Sequence, residues 1–274
     1  MFPARRPVSG ASSLIDTAAR LKGYPVSLES ELRDAANEHG YRIGPEQAAG
    51  WIFFRSASAP GEIALAATTA GMAGPFFLSV EHPGAAREIA AEPAFPPAKG
   101  HAAALAFPDR ASLFEGVRSV YRLSLSLPTL PYEQYLKDTE HLGDTEADRI
   151  QKIRIGQNRF RDALLTYWHS CCPLTGISNP ELLRASHIVP WADCESDEQR
   201  LDVHNGLLLS SLWDAAFDAG LVTFDEMGRA IASPRLCSKA AAELRMESAP
   251  PLSLTDEHRG RLKWHRDKVW QGGP

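Results

Sequence analysis

The stretch Leu207–Gly220, LLLSSLWDAAFDAG, constrains this chain more tightly than any other part of it. It reads as a single helix stopped by Gly220 in the position just past a helix end. Leu212, Trp213, Ala216 and Phe217 form an apolar face that has to be buried. Asp214 and Asp218 lie four residues apart and stack on one side. Like charges at that spacing destabilise a bare helix by roughly a few tenths of a kcal/mol, and Asp is a poor interior helix former. A divalent cation between the carboxylates would remove the penalty. Hard oxygen donors favour Mg²⁺ or Mn²⁺ over a thiolate metal. An isolated pair of this kind is ordinarily just two solvent-facing carboxylates, so its neighbours must decide.

Upstream, PLTG reads as a turn, and LLRASHIVPW places His187 on or beside a short β-branched run. An imidazole titrates near neutral pH and is a natural general base, although a histidine among apolar residues is more often a hydrogen-bonded core group. His204-Asn205-Gly206 reads as a second turn. LVTFD, EMG and RAIAS read as a hairpin after the helix. Before these motifs, IRIGQNRFRDALLTYW spells a helix with Phe160, Leu164, Leu165 and Trp168 on one face. Arg149, Lys152, Arg154, Arg159 and Arg161 gather five cations within 13 residues there. The formal net charge of −5 does not itself disfavour an anionic partner, because local clusters decide phosphate binding.

The first half has a different texture. Residues 1–11 read as a flexible leader. Residues 12–40 show helical spacing at Leu14, Ala18, Leu21, Leu28, Leu32 and Ala35, with Gly40 as the stop. GWIFFRSAS, GEIALAATT and GPFFLSVEHP are short apolar runs bounded by Gly, Pro and Ser, which predicts strands. A helix is expected over 84–91, a loop over AEPAFPPAKGHAAALAFP, and a strand over Ser119–Leu127, whose SVYRLSLSL alternates. The domain plan is therefore a small α+β domain over 12–128, a linker over 129–148 and a second domain over 149–274 that ends in a helix.

Cys171, Cys172, Cys194 and Cys237 lack the CxxC spacing of a structural zinc site, so no structural zinc is expected and the thiols are read as reduced. No window approaches the ~18 apolar residues of a membrane span, and the N-terminus has no hydrophobic signal core. A cytoplasmic address and no membrane partner are the expectation.

Taken in order, GQNRFRDALL, CPLTG, LLRASHIVPW and NGLLLSSLWDAAFDAGLVTFD resemble the HNH (ββα-metal) endonuclease family, in its restriction-enzyme branch, over about residues 150–235. LKWHRDKVW adds a fainter echo near the C-terminus. The resemblance implies an α+β chain in which a ββα-metal nuclease domain follows the N-terminal domain. It implies His187 as the base that activates water, Asn205 as the brace of its loop, and Asp214 and Asp218 as ligands of one divalent metal, Mg²⁺ or Mn²⁺. Arg154, Gln157 and Arg161 match its R-x-G-Q-x-x-F-R stretch as DNA contacts, and Arg184 is a further backbone-gripping candidate. Two positions depart from the family's usual pattern. Ser186 stands where Asp or His often precedes the base, and Asp214 stands where His or Asn is common. The expected partner is DNA, most simply double-stranded, with a homodimer as one way to cut both strands. Residues 12–128 would select the target, which could be a sequence, a modified base or a ligand. Trp51, Phe53 and Phe54 could stack on a flipped base, or form strand core. Two alternatives remain beside it: an inactive HNH scaffold that only binds DNA, and an RNase or toxin nuclease.

Overall fold

The structure is a computed structural model and describes residues 24–68, 74–89 and 96–272. The chain is α+β and divides into two compact units between Leu125 and Ser126. The leader, and the helical positions Leu14, Ala18 and Leu21, lie outside the described residues.

The first unit opens with α1 (Val26–Glu38), which buries Leu28, Leu32 and Ala35 as their spacing requires. An antiparallel five-stranded meander follows in simple order: β1 (Ile43–Ala48), β2 (Trp51–Arg55), β3 (Ile63–Ala67), β4 (Phe76–Val80) and β5 (Ala103–Phe107). Every residue of β3 and β4 is buried, so the centre of the sheet is covered on both faces. Trp51 and Phe54 are buried, and Phe53 packs against the cluster of Trp51, Ala64, Ala66, Phe77, Ala98 and Ala104. These aromatics are therefore core and are not presented for base stacking. Helix α2 (Pro83–Ile89) matches expectation to within two residues.

Three expectations in this unit are overturned. β1 was not anticipated, because IGPEQA is polar and carries a proline; the strand is an exposed edge with an irregular register between Ile43 and Glu46, where proline is tolerated. β5 falls inside the expected loop. Its alanines are weak strand formers, but pairing along all of β4 overrides local preference. The expected strand at Ser119–Leu127 is instead the end of helix α3 (Arg110–Ser126). Leu113, Val117, Val120, Leu123 and Leu127 are all buried at three- or four-residue steps, a longer period that a nine-residue window hides behind local alternation.

The second unit begins where a linker was expected. Thr129–Thr139 forms helix α4, which packs against the long helix α5 (Glu146–Tyr167). Arg159 fastens the two through Asp138, at 2.6 Å, and Gln134. A capping box between Thr145 and Asp148 starts α5. Strands β6 (Leu183–His187) and β7 (Gly206–Ser210) then pair antiparallel, joined by a connection that contains the short helix α6 (Asp197–Leu201). Helix α7 (Ser211–Asp218) follows β7 directly. LLLSS is thus split between strand and helix, since a continuous apolar run carries no period that separates the two. The expected hairpin forms as β8 (Val222–Phe224) and β9 (Ala230–Ala232), followed by α8 (Ser238–Glu243) and α9 (Asp256–Lys268).

Gly220 ends α7 as expected, with φ +66°. A Cβ there would also collide with the carbonyl of Val269, so the position needs glycine twice over. Among the described residues no helix is long and apolar enough to cross a membrane, and all four cysteines are free.

Candidate active site

His187 closes β6 opposite Gly206. A side chain at Gly206 would run into Phe160 and Leu164, so its absence lets α5 press against the strand pair. The imidazole lies flat on Phe160, centroids 3.8 Å apart, and meets Trp191 in a T-shaped contact with centroids 5.5 Å apart. Its Nε2 sits 2.9 Å from the carbonyl oxygen of Arg200. A carbonyl only accepts, so Nε2 carries the proton and Nδ1 keeps its lone pair. Burial pushes the pKa of His187 down to about 4, and the ring is therefore neutral at pH 7.

The loop that follows is tied down by two residues. Asn205 is fully buried; its Oδ1 accepts from the backbone N–H of Val189 at 2.9 Å, and its Nδ2 donates to the carbonyl of Val189 and to Cys194 Sγ. The backbone of Ile188 donates to the Asn205 carbonyl at 2.9 Å. Asn205 thus braces the segment next to His187 without touching the ring. Arg200 does the rest: its guanidinium reaches the carbonyls of Trp191 and Cys194 and the carboxylate of Asp197, while its own carbonyl fixes the imidazole.

Helix α7 brings the carboxylates. Trp213 and Phe217 are buried and pack on Phe224, which fixes the helix rotation. The hydroxyl of buried Ser186, the residue before His187, donates to Asp214 Oδ1. Asp218 keeps solvent access, and its carboxyl is pushed up to about 6 by partial burial and then by the charge of Asp214. The second and smaller of these causes is the like-charge penalty that the spacing implied. His187 and Asp218 line one cavity of about 360 Å³ together with Ala185, Ile188, Pro190, Trp191, His265 and Val269.

The donor types suit a hard cation: the Asp218 carboxylate lines the cavity, and Asp214, one helical turn before it, is oriented by the Ser186 hydroxyl. Among the described residues no three His, Cys, Asp or Glu side chains converge. A metal held here would have to complete its shell with water and substrate oxygens, as Mg²⁺ commonly does.

The basic cluster is largely occupied. Arg161, expected as a DNA contact, donates to the carbonyls of Leu183 and Pro180 at 2.9 and 2.7 Å, and so clamps the start of β6. Arg184 donates to the carbonyls of Glu181 and Leu183 but is exposed. Lys152 and Arg159 have acidic partners. Arg154 and Gln157 are exposed on α5.

The sequence reading missed three contributors. Arg200 acts on His187 through a backbone carbonyl, which no residue pattern announces. Ser186 stood at a position where the family often has a ligand and is a hydrogen-bond donor to Asp214. His265 stands in the LKWHRDKVW echo but was given no role; it is buried, held by Thr223 and Phe217, and its pKa is pushed down to about 4 by burial. A further buried network joins α9 to the segment before Asn205: Asp202 accepts from His204 and pairs with Arg261, and the His204 and His258 rings meet edge to face at 5.1 Å.

Residues 172–225, the segment that carries His187, Asn205, Asp214 and Asp218, match the family model described as HNH endonuclease. No curated protein matches the chain.

Proposed function

We propose that the chain hydrolyses DNA phosphodiester bonds in a reaction that depends on a divalent metal, a reading supported by the match of residues 172–225 to the HNH endonuclease family model. The observation that carries this reading is that His187, from β6, and Asp218, from α7, line the same cavity.

His187 takes the proton of the attacking water on Nδ1, the nitrogen left with a lone pair by the bond from Nε2 to Arg200. A base with a pKa of about 4 stays unprotonated at neutral pH but accepts protons weakly. The negative charge of a phosphodiester alongside raises its basicity when substrate is bound. Asn205 and Arg200 hold the ring and its loop still, which is a positioning role. Asp214 and Asp218 would hold one Mg²⁺ or Mn²⁺, with Ser186 orienting Asp214. Bound there, the metal supplies Lewis-acid stabilisation of charge on the phosphate and the departing 3′ oxygen. In-line attack then leaves a 5′-phosphate and a 3′-hydroxyl.

The first unit, which has its own apolar core, would select the target in a restriction or defence setting. Arg154, Gln157 and Arg184 are the exposed candidates for DNA backbone contact.

Plasmid nicking with Mg²⁺ or Mn²⁺ tests the proposal. The parent chain should nick and His187→Ala should not, with DNA binding kept by both. Binding without cleavage by the parent would favour the inactive scaffold, and RNA cleavage in place of DNA cleavage would favour the RNase reading.

A further inference from the structure

We infer that His265, which lies 40 residues beyond the matched segment, is a positioning residue that sets where Asp218 stands. The inference rests on the reading of Asp218 as a metal ligand. Asp218 is the last residue of α7, and the last turn of a helix is where carbonyls lack intrahelical partners and the chain frays. Here the backbone N–H groups of Ala219, Gly220 and Leu221 close the turn on the carbonyls of Ala215, Phe217 and Ala216, and contacts from outside the helix add to that hold.

His265 grips it in two ways. The Nε2 proton is donated to the carbonyl of Phe217 at 3.3 Å, and the ring stacks on the Phe217 side chain with centroids 4.0 Å apart and planes 3° from parallel. Phe217 immediately precedes Asp218, so its backbone and side chain are both held by one imidazole. Thr223, buried on β8, donates its hydroxyl to Nδ1 at 3.0 Å and thereby selects the tautomer that has its proton on Nε2. The chain after α9 extends the same clamp: Gln271 donates from its side chain to the Ala219 carbonyl and from its backbone to the Gly220 carbonyl, at 3.0 and 2.9 Å. His265 borders the same cavity as His187 and Asp218, yet both of its ring nitrogens are engaged within the protein. It has neither a lone pair nor a proton to offer substrate, which separates a positioning role from that of a second base.

The test uses the full chain and Mn²⁺ alone, with bound metal read from the loss of the free-ion signal in electron paramagnetic resonance. His265→Leu keeps apolar bulk and removes both hydrogen bonds; Mn²⁺ affinity should fall by about 10-fold or more, the range in which residues that orient metal ligands act. His265→Gln can still reach the Phe217 carbonyl and should recover most of that loss. Thr223→Val, close to isosteric, should weaken Mn²⁺ in the same direction, and Thr223→Ser should restore it. A merely structural role would lower the melting temperature and leave the affinity of the folded chain unchanged. A folded His265→Leu chain that binds Mn²⁺ as the parent does would overturn the inference. If that variant fails to fold, parental affinity in Thr223→Val overturns it instead. A parent chain that binds no Mn²⁺, and is indistinguishable from Asp218→Ala, would overturn the metal-site reading and this inference with it.

Discussion

The two units spend their buried volume differently. Among the described residues of the sheet unit, the polar residues buried as a whole are the hydroxyls Thr68, Ser79, Ser119 and Ser124, joined by the buried imidazole of His101 beside Glu62, in a core of alanine, leucine and aromatic side chains. In the nuclease unit Asn205, His204, His258 and His265 are buried beside Ser186, Ser210 and Thr223. Burying an imidazole or an amide costs free energy unless each polar atom is paired. The second unit pairs most of its own through Arg200, Asp202, Thr223 and backbone carbonyls. One unit is thus stabilised mainly by apolar area. The other gives up part of that stabilisation to hold proton-carrying groups in fixed orientations.

The sharpest way to break this contrast is a pair of truncations. His187→Ala should lower the cleavage rate by about 10²–10⁴-fold, the span that a positioned general base supplies, at a smaller stability cost of about 1–3 kcal/mol for the Arg200 carbonyl left unpaired. Phe77→Ala in the sheet core should do the opposite, costing about 3–5 kcal/mol of stability with the rate per folded nuclease unit unchanged. Chemical denaturation and single-turnover nicking on both variants would decide it. A large rate loss from Phe77→Ala in folded protein would show that the sheet unit enters the chemistry.

The same contrast explains what the sequence could disclose. Strands β2, β3 and β4 were legible because their apolar runs are short and punctuated. Strands β1 and β5 were not, because edge position and pairing outweighed a polar proline-bearing stretch and an alanine-rich one. In the nuclease unit His187, Asn205 and Asp218 stood out through their order and spacing. What surrounds them did not: the bond that sets the tautomer of His187 ends on a main-chain carbonyl, and every residue has one of those. Arg161 was legible as a motif position, but its partners were not. Its place in the motif was read as a DNA contact, and its guanidinium lies on the chain at Leu183 and Pro180.

Acid should separate the units next. Burial lowers the pKa of His187 and His265 to about 4 and that of His258 to about 3. Unfolded, these rings titrate near 6.5, so between about pH 6.5 and 4 the unfolded state binds the extra protons. Stability is then highest at neutral pH and falls on acidification. Asp218, raised to about 6, opposes the trend by one proton over part of the range. The net of about two protons corresponds to about 2.7 kcal/mol per pH unit at most. In the sheet unit His39 and His82 shift the same way, again through burial, so the difference between units is one of degree. Hydrogen exchange read by mass spectrometry at pH 7 and pH 5 should show α9 and β6 losing protection before β3 and β4. Simultaneous loss would remove the distinction.

The smallest expected effect concerns the basic face of α5, and it discriminates between two arginines that share one sequence motif. A side chain that neutralises a single phosphate contributes about one unit to the slope of log affinity against log salt. Arg154 is exposed and on the same helix face as Gln157, so Arg154→Ala should reduce that slope by about one unit and leave the melting temperature unchanged. The guanidinium of Arg161 is directed at two carbonyls at the entry to β6. Removing it strands those acceptors, at a cost of about 1–3 kcal/mol if they stay dry, and loosens the strand that ends in His187. Arg161→Ala should therefore keep the parental salt slope while lowering stability and cleavage rate together. Equal slopes for parent and Arg154→Ala would remove α5 from the DNA interface. A unit loss of slope in Arg161→Ala would mean that its carbonyl clamp opens to phosphate when DNA binds.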